Sequence, residues 1–319
     1  MGVVHKEKKG GVMIYHVSRE VSVENEGALM NTNVKPSQIS LIVTDDADVY
    51  TEDERLLMRF RKGVLPKRDL DLFYDNVIKF AMRPTSNRGS TSGKKGEKTL
   101  KDNPRIMTNI LGYFDIMGPR QKWMLTQLGK TLKLNVRETY FTQKEPEKYK
   151  QCLPLIKDID RLYEKYVPGP YALQRKKANQ TPFRIPGTAF TTITTNVNFQ
   201  TTIHKDKGDD VEGFGNLTVI ERDGHYTGGE TCLVAYGVGA DVRTGDILFM
   251  NVHEIHGNLP IHYTSKDAKR LSVVAYLRER IWQKTKGMSR VAMQRHLATM
   301  RKTLESGQIK NKTRRRLNH

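Results

Sequence analysis

Two apolar runs, at 12–15 and 39–43, stand out in the first fifty residues, which otherwise read as loop with short strands. Residues 51–83 read as helical. Thr51 can cap, and Glu52, Asp53 and Glu54 fill a first turn that favours carboxylates. Pro66 interrupts, and Leu70, Leu72, Val77, Ile78 and Ala81 carry the apolar spacing on over 69–82. The Gly/Ser/Lys-rich segment 86–96 reads as a loop, and 105–114 is apolar enough for either strand or helix. Residues 147–166 predict an amphipathic helix. Leu153, Leu155, Ile156, Ile159, Leu162 and Tyr163 form its inner face, and Pro168-Gly169-Pro170 stops it.

From about Phe183 the period changes. Residues 189–203 are rich in Thr, Val, Ile and Phe and alternate through Ile193, Thr195, Val197 and Phe199. Further short apolar runs follow at 216–222, 231–236, 240–242, 246–250 and 270–277, separated by glycines such as Gly224, Gly228-Gly229, Gly237 and Gly245. Many short strands with glycine turns predict a sandwich or barrel. The chain therefore has a mostly β core with flanking helices, an α+β class. Residues 288–304 then read as a basic amphipathic helix. These patterns divide the chain into an N-terminal extension (1–50), a helical support region (51–182), a β core (183–282) and a basic C-terminal helix and tail (283–319).

Composition changes the picture through charge. The 319 residues carry a net +19 and a sequence pI near 9.8, which points to a polyanionic partner. Residues 284–316 hold eleven Lys/Arg against one acid, Glu305, and a second basic island is Lys94, Lys95, Lys98 and Lys101. Cys152 and Cys232 stand outside any CxxC or Cys/His cluster, so neither a disulfide framework nor a cysteine metal site is expected. Reduced cysteines, no long apolar run and no apolar leader give a cytoplasmic or nuclear expectation, not secreted, with no membrane partner.

The candidate chemistry lies between His204 and Arg270. His204-Lys205-Asp206 leaves a Thr/Val-rich strand and enters a glycine turn; residues i and i+2 of a strand share a face and could grip one ion. A second histidine must then arrive from far along the chain. His256, followed by Gly257, is the preferred distal ligand, and His253 is the alternative. Two histidines and one carboxylate leave open positions on a six-coordinate ion, as non-haem Fe(II) oxygen chemistry requires. Arg270 follows fourteen residues after His256 on the last apolar strand, with Ser272 on the same face. A planar, permanently charged fork suits the far carboxylate of an α-keto acid whose other end chelates the iron.

With these residues in hand, the chain resembles the TET/JBP-like Fe(II)/2-oxoglutarate-dependent dioxygenases, particularly the JBP-type thymine hydroxylases and their phage-encoded relatives. The resemblance rests on Thr188-Ala189-Phe190-Thr191-Thr192-Ile193-Thr194, Asn196-Val197-Asn198, His204-Lys205-Asp206-Lys207-Gly208-Asp209 and Gly213-Phe214-Gly215-Asn216. It continues through Tyr226-Thr227-Gly228-Gly229, Gly245-Asp246, His253-Glu254-Ile255-His256-Gly257-Asn258 and Arg270-Leu271-Ser272-Val273-Val274. Upstream, Asn87-Arg88-Gly89-Ser90 and Leu111-Gly112-Tyr113-Phe114-Asp115 also match. The resemblance is dense over 183–280, thin over 85–180 and silent elsewhere.

It implies a double-stranded β-helix (jelly roll) core, iron held by His204, Asp206 and His256, 2-oxoglutarate held by Arg270, and O2 as co-reactant; Ser272, on the same strand face as Arg270, could share its contact. It implies oxidation of the 5-methyl of thymine or 5-methylcytosine in DNA, presented flipped or single-stranded. Asp209 then faces the target base, with Asn196 or Asn198 lining the same pocket. Two other readings remain open from the residues alone. One is a 2-oxoglutarate oxygenase acting on protein side chains or RNA; the other is a non-catalytic nucleic-acid-binding jelly roll.

Overall fold

The structure, a computed structural model, describes residues 2–85, 106–129 and 131–317. In chain order its strands are β1 (Val3–Lys9), β2 (Val12–Val17), β3 (Leu41–Val43), β4 (Ala47–Thr51), β5 (Leu56–Arg61), β6 (Thr108–Phe114), β7 (Arg137–Glu138) and β8 (Thr192–Val197). They continue as β9 (Gly215–Arg222), β10 (Tyr226–Gly228), β11 (Thr231–Leu233), β12 (Val238–Ala240), β13 (Ile247–Met250), β14 (His256–Asn258), β15 (Ile261–Tyr263) and β16 (Lys269–Tyr276). The helices are α1 (Glu26–Leu29), α2 (Lys67–Ala81), α3 (Pro119–Gln127), α4 (Tyr140–Lys144), α5 (Pro146–Tyr166), α6 (Pro168–Asn179), α7 (Glu279–Thr285) and α8 (Arg290–Leu317).

A ten-stranded sheet runs β1-β2-β4-β5-β13-β9-β16-β8-β6-β7, and a four-stranded sheet runs β14-β11-β12-β3. These form the jelly-roll core. The central strands of the large sheet are buried on both faces, and their parity decides what each face meets. In β13, Ile247 and Phe249 join the cluster that includes Leu155, Ile159 and Tyr163 of α5, while Leu248 and Met250 join Leu233 and Val238 of the small sheet. The result is helices on one side of the large sheet and the small sheet on the other. Burying each such side chain contributes roughly 1.5–3 kcal/mol.

Several elements differ from the sequence expectation. Residues 56–61 are strand, not helix: β5 pairs antiparallel with both β4 and β13. Leu57, Met58 and Phe60 are buried with the small-sheet cluster and Leu56 packs against the helical-side cluster, so the run lacks the alternation of a half-buried strand. Thr51 caps no helix; it closes the β4–β5 turn, where the Arg55 N–H donates to its hydroxyl at 3.0 Å. Pro168 does not merely stop α5. It occupies the first turn of α6, where a missing N–H costs nothing. The 105–114 ambiguity resolves as β6, and α8 runs past residue 304 to Leu317. The first fifty residues supply β1, β2 and β4 to the large sheet and β3 to the small one. The 86–96 loop, the Asn87–Ser90 match and the Lys94–Lys101 island lie outside the described residues.

No helix among the described residues is long and apolar enough to cross a membrane. Cys152 and Cys232 are both buried and free, and burial pushes both thiols up, Cys152 to about 12.

The Tyr163 hydroxyl links the helical layer to the site-bearing strands, accepting the Phe214 N–H at 2.8 Å in a fully buried setting. Tyr163→Phe should lower the unfolding free energy by about 1–3 kcal/mol, because that N–H loses its acceptor. Denaturant unfolding measures this.

Candidate metal and substrate site

The site begins with one backbone contact. The His204 N–H donates to the His256 carbonyl and the His256 N–H to the His204 carbonyl, both at 2.9 Å. His204 and Asp206 are not on a regular strand, as their spacing suggested; His204 forms an isolated antiparallel bridge with His256 at the edge of β14. Asp206 is then pinned by its own N–H, which donates to the Val252 carbonyl at 3.1 Å. The imidazole centroids end 4.3 Å apart. One ligand atom each from His204, Asp206 and His256 lies within 4.8 Å of the others, the one such group among the described residues.

The tautomers are set by backbone carbonyls. His204 Nδ1 lies 2.7 Å from the Thr202 carbonyl, and His256 Nδ1 lies 2.9 Å from the Glu254 carbonyl. A carbonyl only accepts, so both Nδ1 atoms carry a proton and Nε2 is the ring atom each histidine turns toward Asp206. Each Nε2 is 3.6 Å from an Asp206 carboxylate oxygen. Two imidazoles and a carboxylate are a donor set that could hold a divalent first-row cation. His253 differs: its Nε2 meets the Asp210 carbonyl at 3.0 Å and so carries a proton, and the residue stands outside the cluster.

An alternating ion chain ties the ligand segments to the N-terminal layer. Lys205, between two candidate ligands, pairs with Glu26 at 2.6 Å; Glu26 pairs with Arg19 at 2.8 Å. Arg19 also holds Glu254, which Arg55 approaches at 2.8 Å. Glu254 is the residue whose carbonyl fixes His256. Sequence reading missed this chain, because nothing local marks Arg19 or Arg55.

The group sits in a cavity of about 810 Å³. Strand parity furnishes one wall: Arg270, Ser272, Val274 and Tyr276 of β16 all line it, while Leu271, Val273 and Ala275 join the core on the other face. Arg270 is 2% exposed. One Nη2–H donates to the Gly229 carbonyl at 3.2 Å, its Cζ lies 5.5 Å from the Tyr226 ring centroid, and its buried Nε has no hydrogen-bond partner among the described residues. Burial raises the Tyr226 pKa, opposed by Arg270 and Arg243. A buried guanidinium with an unused donor could bind a carboxylate. The neighbouring hairpin is tight: Gly228 has φ +74, and a Cβ there would come 2.0 Å from the Pro260 carbonyl oxygen.

Asp209 and Asn196 line the same cavity. Asn196 accepts from the Thr108 hydroxyl at 2.8 Å and donates to Ser272 Oγ at 3.1 Å, so it orients Ser272. Asn198 is not brought to the cavity. It follows the end of β8 with φ +48, and its side chain accepts the Arg270 N–H at 2.7 Å and donates to the Ala268 carbonyl. It therefore fixes the backbone at Arg270. The outer part of the cavity carries exposed Tyr140 together with Arg83 and Lys122. Arg278 also lines it and was not anticipated, although its even spacing from Arg270 was a usable signal.

Residues 123–279 match the Tet/JBP family, described as the oxygenase domain of the 2OGFeDO superfamily. The chain is 34% identical over 287 residues to the bifunctional helicase and thymine dioxygenase JBP2 of Trypanosoma cruzi, covering 85% of this chain and 24% of that protein. It is 31% identical over 173 residues to the thymine dioxygenase JBP1 of Trypanosoma brucei brucei, covering 54% of this chain and 19% of that protein. The chain thus spans a quarter or less of the length of these curated relatives. Among solved structures, NgTET1 in complex with 5mC DNA aligns with a TM-score of 0.48 at 15% identity, over 85% of this chain and 84% of that one.

His204→Ala, Asp206→Ala and His256→Ala should each weaken divalent-cation binding at least tenfold, and His253→Ala should leave it within about threefold. Titration with Mn(II), followed by paramagnetic resonance, reads this; a loss confined to His253→Ala would reverse the assignment.

Proposed function

We propose that this chain, which belongs to the Tet/JBP family of 2-oxoglutarate/iron oxygenase domains, hydroxylates the 5-methyl group of a pyrimidine in DNA. The observation that carries the reading is the gathering of His204, Asp206 and His256 within 4.8 Å in a cavity that also holds the buried Arg270. The relatives' thymine dioxygenase activity supports extending the reaction to a methylated pyrimidine here.

In this reading His204 and His256 hold Fe(II) through Nε2 and Asp206 holds it through its carboxylate. Arg270 receives the far carboxylate of 2-oxoglutarate in a charge-assisted pair, with Ser272 beside it. Iron with 2-oxoglutarate supplies oxidation of an unactivated C–H bond by O2, with succinate and CO2 as coproducts. The protein's own part is positioning and exclusion of water. His204 and His256 are 8% and 5% exposed, so a methyl group within a base stack cannot reach them. The nucleotide must be flipped out or presented single-stranded, and flipping costs a few kcal/mol. Cationic contacts to phosphates offset that cost. The net charge of +19, concentrated in the segment that forms α7 and α8, and the cations at the outer part of the cavity supply them. Buried Asp209 is a candidate partner for the base.

Protein given Fe(II), 2-oxoglutarate, O2 and methylpyrimidine-containing DNA should form succinate together with a hydroxymethylated base, read by mass spectrometry of digested nucleosides. Arg270→Ala should raise the half-saturating 2-oxoglutarate concentration by about one to two decades, matching a lost contact of roughly 1.5–3 kcal/mol. Succinate formed with peptide but never with DNA would contradict the substrate, and an unchanged 2-oxoglutarate requirement would contradict the role of Arg270.

A further inference from the structure

The row of cavity-facing residues on β16 does not end with the strand. Arg278 lies two residues beyond Tyr276 and also lines the cavity. Its guanidinium is held on several sides. Nε–H donates to Asp115 Oδ1 at 2.6 Å, and Asp115 is 1% exposed. Cζ sits 4.3 Å from the centroid of the Phe114 ring. A Cβ at Gly208 would come 3.0 Å from Nη1 and 3.2 Å from Nη2, so the guanidinium packs closely on the Gly208 backbone. Gly208 is two residues after Asp206, and Asp209 forms an isolated bridge with Arg278. A rigid planar cation therefore lies against the loop that carries a candidate metal ligand. Burial opposes its charge, but Tyr276, Asp115 and Asp209 more than offset this and raise its pKa, so it donates at all working pH values.

Resting on the reading above, we propose that Arg278 selects the base by donating to the oxygen on C4, so that this site takes thymine and disfavours 5-methylcytosine. The methyl carbon is bonded to C5 and must face the His204–Asp206–His256 group. C4 is bonded to C5, so its substituent is the polar group of the base nearest the ligand loop, where the Arg278 terminal amino groups lie. In thymine that substituent is a carbonyl, an acceptor; in 5-methylcytosine it is an amino group, a donor. A guanidinium forms a charge-assisted bond with the first and opposes the second. Asp209 extends the match. Its carboxylate can accept the N3–H of thymine, whereas N3 of 5-methylcytosine presents a lone pair.

The test is a competition between two oligonucleotides that differ at one central base, thymine or 5-methylcytosine. All other thymines are replaced by uracil, which has no methyl group. Wild-type protein loaded with Fe(II) and 2-oxoglutarate should oxidise thymine at least about tenfold faster, in the range expected of a well-made base contact. Arg278→Met keeps the length and apolar stem and removes every donor. It should lose about ten- to a hundredfold in thymine oxidation, with the ratio between bases falling to within about threefold. Arg278→Lys keeps the charge without the planar fork and should give an intermediate ratio, which also serves if the methionine variant fails to fold. Equal rates on the two bases in wild type, or a wild-type ratio in Arg278→Met, would overturn the assignment of Arg278 while leaving the oxygenase reading intact. Oxidation of neither base by wild-type protein that binds Fe(II) and 2-oxoglutarate would end both.

Discussion

The reciprocal backbone pair between His204 and His256 is the contact on which the site depends. It joins two segments separated by about fifty residues, and it does so through main-chain atoms rather than through the imidazoles. Once the pair is made, both Nδ1–H groups donate to the Thr202 and Glu254 carbonyls, which turns both Nε2 atoms toward the Asp206 carboxylate. The fold thus gathers the three donor groups into one cluster. Gathering the donors costs conformational entropy of the order of 1–2 kcal/mol for each residue fixed, and the large apolar clusters on both faces of the ten-stranded sheet offset it.

Strand β16 organises the remainder. Its odd-numbered residues Leu271, Val273 and Ala275 anchor it in the core, and its even-numbered residues present Arg270, Ser272, Val274 and Tyr276 to the cavity, with Arg278 continuing the row. The row therefore spaces a buried cation, Arg270, from a half-buried one, Arg278. The charge of each is handled differently. Arg270 keeps an unused donor, whereas Arg278 is tied to Asp115 and laid on Phe114. The ion chain Lys205–Glu26–Arg19–Glu254–Arg55 adds a third constraint from outside the β core, linking residues next to the candidate ligands to the N-terminal layer.

Much of this was legible in the sequence because it is local. The spacing of His204, Asp206, His256 and Arg270, the period change near Phe183 and the amphipathic stretch at 147–166 can each be read from residue order. What was not legible depends on partners distant in sequence. Residues 56–61 looked helical because a strand buried on both faces loses its alternation. Pro168-Gly169-Pro170 looked like a stop because the same proline can end one helix and begin another. Asn196 and Asn198 share strand parity, yet β8 ends at Val197 and the left-handed backbone at Asn198 turns its amide onto the main chain instead. Arg19 and Arg55 carry no local signature at all; only the folded chain brings them to Glu254.

The central claim is that this chain transfers an atom of O2 to a pyrimidine methyl group while oxidising 2-oxoglutarate. The most direct measurement is isotopic: run the reaction under 18O2 and analyse both the digested nucleosides and the succinate by mass spectrometry. The account predicts one labelled oxygen on the methyl carbon of the modified pyrimidine and one in succinate. Labelled succinate with unmodified DNA at every methylpyrimidine, or a hydroxymethyl group formed without 2-oxoglutarate, would contradict it.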